Sequence, residues 1–155
     1  MKLTTLAAAV CAAMTMAAAP AFAGECPADQ VRPHTELNGP TMPSKVTDTV
    51  ISSIDLGGQY NAPGRTFRMR RLEIKPGGVV PMHSHADRPA HIYVVRGQIA
   101  ENRSTCAVPI IHKAGDVATE AGQLTHWWRN TSSQTVVLIS ADVLPPAGPP
   151  AEGTM

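Results

Sequence analysis

The chain has 155 residues and a formal net charge of +1. This length fits one domain, and the near-neutral balance excludes the strongly basic face of a nucleic-acid binder. Hydrophobic residues make up 43% of the sequence, which is enough for a folded core and too much for a disordered chain. The 14 prolines and 12 glycines argue against a helical bundle.

The first stretch, residues 1–23, has the pattern of a secretory signal. Lys2 gives it a positive start, an Ala-rich apolar run follows, and the Ala-Phe-Ala tripeptide 21–23 suits a signal peptidase. The run is weakly apolar and contains Pro20, which disfavours the alternative of a membrane anchor. We therefore predict cleavage before Gly24 and an exported product, periplasmic or secreted, with no membrane attachment.

Two cysteines remain after this cleavage, Cys26 and Cys106. An exported protein meets an oxidising compartment, so an even pair predicts a disulfide, with two free buried thiols as the alternative. The bridge would close a loop of roughly 80 residues and stabilise the fold by about 4 kcal/mol at most.

The chain from residue 24 contains short β-branched segments separated by Gly and Pro turns. No segment of helical length keeps an apolar helical period without a Pro or Gly interrupting it. Residues 24–45 are Pro-rich and predict an irregular lead-in, and 145–155 predict a mobile Pro-rich tail. The strand-like segments are 46–56, 66–74, 90–100, 106–112, 124–129 and 135–144. This pattern predicts an all-β sandwich or barrel over 46–144.

Two of these segments contain expected breaks. Pro76-Gly77-Gly78 is expected to stop the strand that begins at Thr66, because proline cannot donate to a sheet and glycine favours turns. Arg96-Gly97 predicts a hairpin-like break within 90–100.

The histidines form the clearest chemical pattern. His83 and His85 are two residues apart, so in an extended strand their rings project from the same face and can converge on one ion. Neutral imidazole is a good ligand for Fe, Mn, Ni, Cu and Zn. A single His-x-His is weak evidence by itself, and the later His126 in a second glycine-containing segment strengthens it.

These residues also match the spacing of a known family. The segment 77–85, with the pattern G-x5-H-x-H, and the later Gly97 together resemble the first motif of the cupins. Gly115, His126 and Asn130 resemble the second motif.

The resemblance covers about residues 46–144 and implies a small antiparallel, jelly-roll-like β-barrel with a metal in its mouth. It implies metal-ligand roles for His83, His85 and His126. The implied cofactor is one divalent transition metal, which is Fe, Mn, Cu, Ni or Zn.

The chain departs from the family pattern at the fourth ligand. The family usually places a glutamate where this chain has Ala90, and in the second motif Ala121 replaces a usual proline and the glycine is displaced to Gly122. His91 and Asp87 are the alternative fourth ligands. Strand parity turns His91 away from the metal unless a bulge shifts the register, and Asp87 lies in the loop after the two histidines.

Other side chains are candidates for the pocket. Arg70 shares strand parity with apolar residues, so it either points into the barrel and binds a carboxylate or forms a surface ion pair. Trp128 either walls the site or packs in the core. Tyr93 is a candidate proton donor, although its parity disfavours it. His34 and His112 show no partner pattern and are interpreted as ordinary surface or core histidines.

Two classes of function remain open. The resemblance favours a metal-dependent oxygenase, with a dioxygenase as the leading subclass and isomerase or lyase activity behind it. The alternative is a non-catalytic protein that binds a metal or a small ligand. The expected partner is a small molecule, not a nucleic acid or a membrane, and related barrels often pair as homodimers. A second polar group beside the metal would discriminate the two classes.

Overall fold

The structure, a computed structural model, describes residues 24–147. The predicted signal peptide, 1–23, and most of the predicted tail lie outside the described residues. Within the described range there is one short 3-10 helix, Ala28–Gln30, and no helix that meets the length and apolarity of a membrane span. The strands are β1 (Ser44–Asp55), β2 (Thr66–Ser84), β3 (Ala90–Arg96), β4 (Gln98–Arg103), β5 (Ile110–Lys113), β6 (Val117–Glu120), β7 (Thr125–Arg129) and β8 (Val136–Leu144).

The strands pair antiparallel and form a nearly closed barrel. Their order is β5-β4-β7-β2-β8-β3-β6, with β1 added on β2. The long β2 is shared: its first half pairs with β1 and β8, and its second half pairs with β7. The predicted all-β antiparallel architecture is confirmed.

Strand β2 passes through segment 76–78, so the prediction that it stops there is wrong. Gly77 has a φ of +72°, a left-handed conformation that glycine adopts without steric cost, and it bends the strand without ending it. The side-chain amide of Asn130 donates to the Ile74 carbonyl at 2.8 Å, and the Gly77 N–H donates to the Asn130 carbonyl at 2.9 Å. These bonds fasten the bend to the end of β7, so one strand serves both halves of the barrel.

The break expected at Arg96-Gly97 is confirmed, but the strands on its two sides do not pair with each other as a hairpin. β3 pairs with β6 and β8, whereas β4 pairs with β5 and β7, and the break at Gly97 sends the chain from one half of the barrel to the other. Strand β6 had no counterpart among the predicted strands, because four residues beside two glycines give too short an alternation to stand out.

The barrel interior follows the two-residue period of its strands. In β3, Ala90, Ile92 and Val94 are buried while the residues between them are exposed, as strand parity predicts. β2 and β8 supply further apolar side chains to the same core. The core cluster comprises Leu72, Ile74, Ala90, Ile92, Val94, Ile99, Ala118, Trp128, Val136 and Leu138.

The lead-in is fastened to the barrel at two points. Cys26 and Cys106 form the predicted disulfide, with Cα atoms 5.8 Å apart, and Val31 forms a β-bridge with Cys106. Further along, the Met82 N–H donates to the Pro40 carbonyl at 2.7 Å. The segment expected to be irregular therefore lies against the barrel wall.

Reduction of the disulfide is expected to destabilise the protein. The bridge joins positions 80 residues apart, and releasing it restores chain entropy to the unfolded state. We expect a reductant to lower the melting temperature by several degrees. Differential scanning calorimetry of residues 24–155 measures this, with the Cys26→Ala/Cys106→Ala variant as the control that reductant leaves unchanged. An unchanged melting temperature on reduction of the native chain contradicts the stabilising role.

Candidate metal centre

Three of the predicted histidines meet inside the barrel. His83 and His126 are direct cross-strand partners on β2 and β7, and His85 follows the end of β2. Their ring centroids lie 4.6–4.9 Å apart. His85 and His126 are almost fully buried, and His83 is partly buried at the cavity wall.

A glutamate completes the group. Glu120, the last residue of β6, is buried, and one ligand atom from each of His83, His85, Glu120 and His126 lies within 4.8 Å of the others. The Cα partner of Glu120 across the β3–β6 pair is Ala90. Directly opposed residues on adjacent strands project from the same face with neighbouring Cβ atoms. The carboxylate therefore enters from the strand beside the position where the family pattern places its glutamate.

Backbone carbonyls fix the orientation of two rings. The Nδ1 of His83 is 2.8 Å from the Pro81 carbonyl oxygen, and the Nδ1 of His85 is 2.6 Å from the Arg88 carbonyl oxygen. A carbonyl oxygen only accepts, so each Nδ1 carries the proton and donates it. In the neutral rings, Nε2 is therefore unprotonated and carries a free lone pair.

The third ring is oriented by a carboxylate. The Nδ1 of His126 donates to Oε1 of Glu101 at 2.6 Å. Glu101 is fully buried and also accepts from Nε2 of His112 at 2.8 Å and from Arg103 at 2.9 Å. Burial alone would raise the pKa of Glu101, but the hydrogen bonds from His112 and His126 and the charge of Arg103 outweigh it. They hold the pKa well below its ordinary value, so Glu101 is ionised.

With these tautomers, hydrogen-bond acceptor atoms of neighbouring side chains face one another without a proton between them. Nε2 of His83 and Nε2 of His126 are 3.2 Å apart, and Nε2 of His85 is 3.0 Å from Oε2 of Glu120. Nε2 of His85 and Oε1 of Glu120 are buried without a hydrogen-bond partner. Such lone pairs repel one another in a buried site unless a proton or a metal ion lies between them. Burial, followed by the charge of His126, lowers the pKa of His83 to about 4, which favours the neutral ring that a metal requires.

The donor set therefore fits a divalent transition ion. Imidazole nitrogens and a carboxylate oxygen suit Fe, Mn, Ni, Cu and Zn. A carboxylate that hydrogen-bonds the far nitrogen of a ligating histidine is the usual support of such sites, and Glu101 has this position relative to His126.

The two alternative fourth ligands lie elsewhere. His91 is exposed on the outer face of β3, where its Nδ1 is 3.3 Å from the Thr119 hydroxyl. Asp87 is exposed and pairs with Arg65 at 2.6 Å. Tyr93 is 46% exposed on the same outer face as His91. Parity alone placed His91 and Tyr93 correctly, and neither they nor Asp87 approach the histidine group.

The histidines interpreted as ordinary differ from each other. His34 is exposed, as expected. His112 is fully buried, lies 4.7 Å from Trp128 between ring centroids and binds Glu101, so it belongs to the network behind the site.

A cavity of about 390 Å³ opens beside the histidine group. Both His83 and Glu120 line it, and so do Arg70 and Trp128, the two side chains predicted for a pocket. Trp128 is only 2% exposed, so it walls the cavity and belongs to the core at the same time. Arg70 also forms an ion pair with Asp48, so it lines the cavity and is paired at the same time, while its binding of a carboxylate ligand stays a prediction.

Glu120 and Glu101 were not predicted from the sequence. The position of each glutamate along its strand indicates that it is buried. Glu120 is two residues after the buried Ala118, and Glu101 follows two buried residues of β4. A charged residue on an inward strand position is rarely buried without a partner. Identifying the partner requires knowing which strands are neighbours, and this the sequence does not state.

The family assignment follows from the fold and the site. The cupin domain model matches residues 70–142. This match covers the two histidine positions of β2, Glu120 and His126. The chain therefore contains a cupin domain. No curated protein matches it significantly.

Solved cupin structures share the fold at low identity. A cupin-2 domain from Rhodospirillum rubrum has a TM-score of 0.53 at 17% identity, covering 71% of this chain and 68% of that one. The Cnp3 cupin domain of Schizosaccharomyces pombe has a TM-score of 0.51 at 13% identity, with 68% and 67% covered. The cupin domain of an XRE family transcriptional regulator from Enterobacter cloacae has a TM-score of 0.50 at 16% identity, with 66% and 99% covered. These similarities establish the cupin fold and no particular activity.

The Glu101→Gln variant is expected to weaken metal binding. Glutamine has one acceptor oxygen for two histidine donors, so it cannot hold His126 and His112 as the carboxylate does. We expect the affinity for Co²⁺ or Zn²⁺ to fall by about 10–100-fold. Competition with a chromophoric chelator measures this, and Glu73→Gln, at an exposed position outside the site, is the matched control. An affinity equal to that of the native protein would exclude a supporting role for Glu101.

Proposed function

We propose that this cupin is an exported metal-dependent enzyme that binds one divalent transition metal through His83, His85, His126 and Glu120. The supporting observation is the convergence of unprotonated imidazole nitrogens on a buried carboxylate, with their other nitrogens committed to hydrogen bonds. Burying these acceptor atoms close together costs free energy, and a cation bound between them offsets this cost.

The number of ligands bears on the reaction. Three imidazoles and a carboxylate would saturate a tetrahedral ion. An ion that prefers octahedral geometry, such as iron or manganese, keeps positions free for a substrate and a second reactant. Such positions are compatible with oxygenase chemistry, and the family resemblance places a dioxygenase ahead of isomerase or lyase activity.

The residues of the chain would divide the work as follows. When bound, the metal would supply Lewis acidity and, if redox-active, dioxygen chemistry. The carbonyls of Pro81 and Arg88 hold the rings of His83 and His85 in place. We propose that Arg70 and Trp128, which line the cavity, contact a small organic substrate there.

One observation favours the alternative, a cupin that binds a ligand without catalysis. Asp87, an alternative fourth ligand, and Tyr93, the candidate proton donor, both lie outside the cavity. Arg70 is already engaged with Asp48 and Ser140. Among the described residues, the histidine and glutamate group itself is then the main source of proton-transfer groups in the cavity.

Export and assembly are further parts of the proposal. The signal-like segment 1–23 supports export, and the Cys26–Cys106 disulfide suits an oxidising compartment. The exposed apolar side chains of β1, Val50 and Ile54, support a homodimer through this strand.

Metal analysis tests the proposed centre. The native chain, purified from the exported fraction without chelator or nickel resin, is expected to contain about one Fe, Mn, Cu, Ni or Zn per chain. His83→Ala and His126→Ala are each expected to lose it, because each removes one ligand from a buried site. Elemental analysis by mass spectrometry gives the stoichiometry.

The rejected ligands supply the controls. His91→Ala and Asp87→Ala are expected to retain the full metal content. A metal-free native protein that also fails to take up any of these ions would overturn the proposed centre. If the iron-, manganese- and copper-loaded protein consumes no oxygen with a panel of small organic acids, the oxygenase assignment fails and the binding protein remains.

A further inference from the structure

The cavity has a second polar wall that the metal centre does not use. Arg70 and Arg88 both line the cavity that His83 and Glu120 line. Arg88 lies in the turn between β2 and β3, three residues after His85, and no sequence motif singled it out.

Few carboxylates are available to the guanidinium groups on this wall. The buried carboxylate of Asp142 accepts from Arg68 at 2.8 Å and from Arg88 at 3.1 Å, and lies 3.4 Å from Arg70. Arg70 has one further carboxylate partner, Asp48, at 2.5 Å. Three guanidinium groups therefore share two paired carboxylates, and the further carboxylate whose charge acts on Arg88, that of Glu120, belongs to the proposed metal centre.

Arg88 has donors to spare. A guanidinium group carries five N–H donors, and among the described residues only Nη1 of Arg88 has a hydrogen-bond partner, which is Asp142. The side chain is 20% exposed and lies against the cavity. Burial, followed by the charge of Arg70, lowers the pKa of Arg88, and the charges of Asp142 and Glu120 oppose this shift.

The rest of the cavity is apolar. Leu72, Ile92, Trp128 and Leu138 line it, and its volume of about 390 Å³ suits a small organic molecule. A ligand that satisfies both walls has a compact apolar body and one anionic group. A carboxylate matches the planar fork of a guanidinium group.

We propose that Arg88, assisted by Arg70, binds the carboxylate of a small organic acid whose apolar part packs against Trp128 and Leu138. The cavity is then a carboxylate-binding subsite beside the metal centre. The binding of such an acid does not depend on the proposed function. Its role as the substrate does rest on the proposed function.

Benzoate and its neutral isostere benzamide are suitable probes. They share size and shape and differ in charge, so the ratio of their affinities isolates the guanidinium contribution. We expect isothermal titration calorimetry of residues 24–155 to give a benzoate affinity at least about ten-fold above that of benzamide, a difference of 1.4 kcal/mol. We expect this in the protein as purified and after chelation of its metal.

Variants locate the subsite. Arg88→Gln is expected to remove the preference for benzoate, and Arg96→Gln, at an exposed position in β3, is expected to retain it. Arg88→Lys keeps the charge without the fork and is expected to retain only part of the preference, which covers the case in which Arg88→Gln does not fold.

The other outcomes overturn the proposal. Equal affinities for the two probes, or no benzoate binding at millimolar concentration, would exclude a carboxylate subsite. A preference that survives Arg88→Gln and disappears on chelation would place the carboxylate on the metal. A metal-free native protein that keeps the preference would remove the proposed enzyme activity and leave the subsite standing.

Discussion

Four acceptor atoms converge in this barrel, and the local structure is arranged around them. The Nδ1 protons of His83, His85 and His126 are committed to oxygen acceptors, so their Nε2 lone pairs point towards one another and towards Glu120. Mutual repulsion of this kind in a buried space is tolerable only if something positive binds between the atoms. A cation is therefore the simplest resolution of the geometry.

The same constraint explains features distant from the ligands. The bend at Gly77, fastened by Asn130, allows one strand to pair with both halves of the barrel and places His83 opposite His126. Glu101 supports His126 and in turn requires His112 and Arg103 to compensate its burial. The disulfide and the lead-in add stability to the wall and do not form the site.

The position of the carboxylate distinguishes this chain within its family. Ala90 occupies the usual glutamate position, and Glu120 is its direct partner on the neighbouring strand. Opposed residues of an antiparallel pair share a face, so a carboxylate can move across the pair and still reach the same ion.

The sequence predicted the histidine ligand candidates, the all-β barrel and the disulfide, because each depends on spacing, periodicity or residue type along the chain. It did not predict Glu120, Glu101 or Arg88, because their roles depend on which strands and turns become neighbours. It also mistook the 76–78 bend of β2 for an end, because Pro and Gly mark both turns and bulges. Residue types and spacing along the chain identify the strands, whereas the cross-strand register determines which side chains become neighbours.

The central claim is that Glu120 supplies the carboxylate that Ala90 lacks. The most direct test is the Zn²⁺ or Mn²⁺ affinity, measured by chelator competition, of Glu120→Ala and of the exchange variant Ala90→Glu/Glu120→Ala. The account predicts at least about a ten-fold loss of affinity in Glu120→Ala, of the size expected when a metal site loses a supporting group. It predicts that the exchange variant recovers much of this loss. Native affinity in Glu120→Ala would contradict the claim.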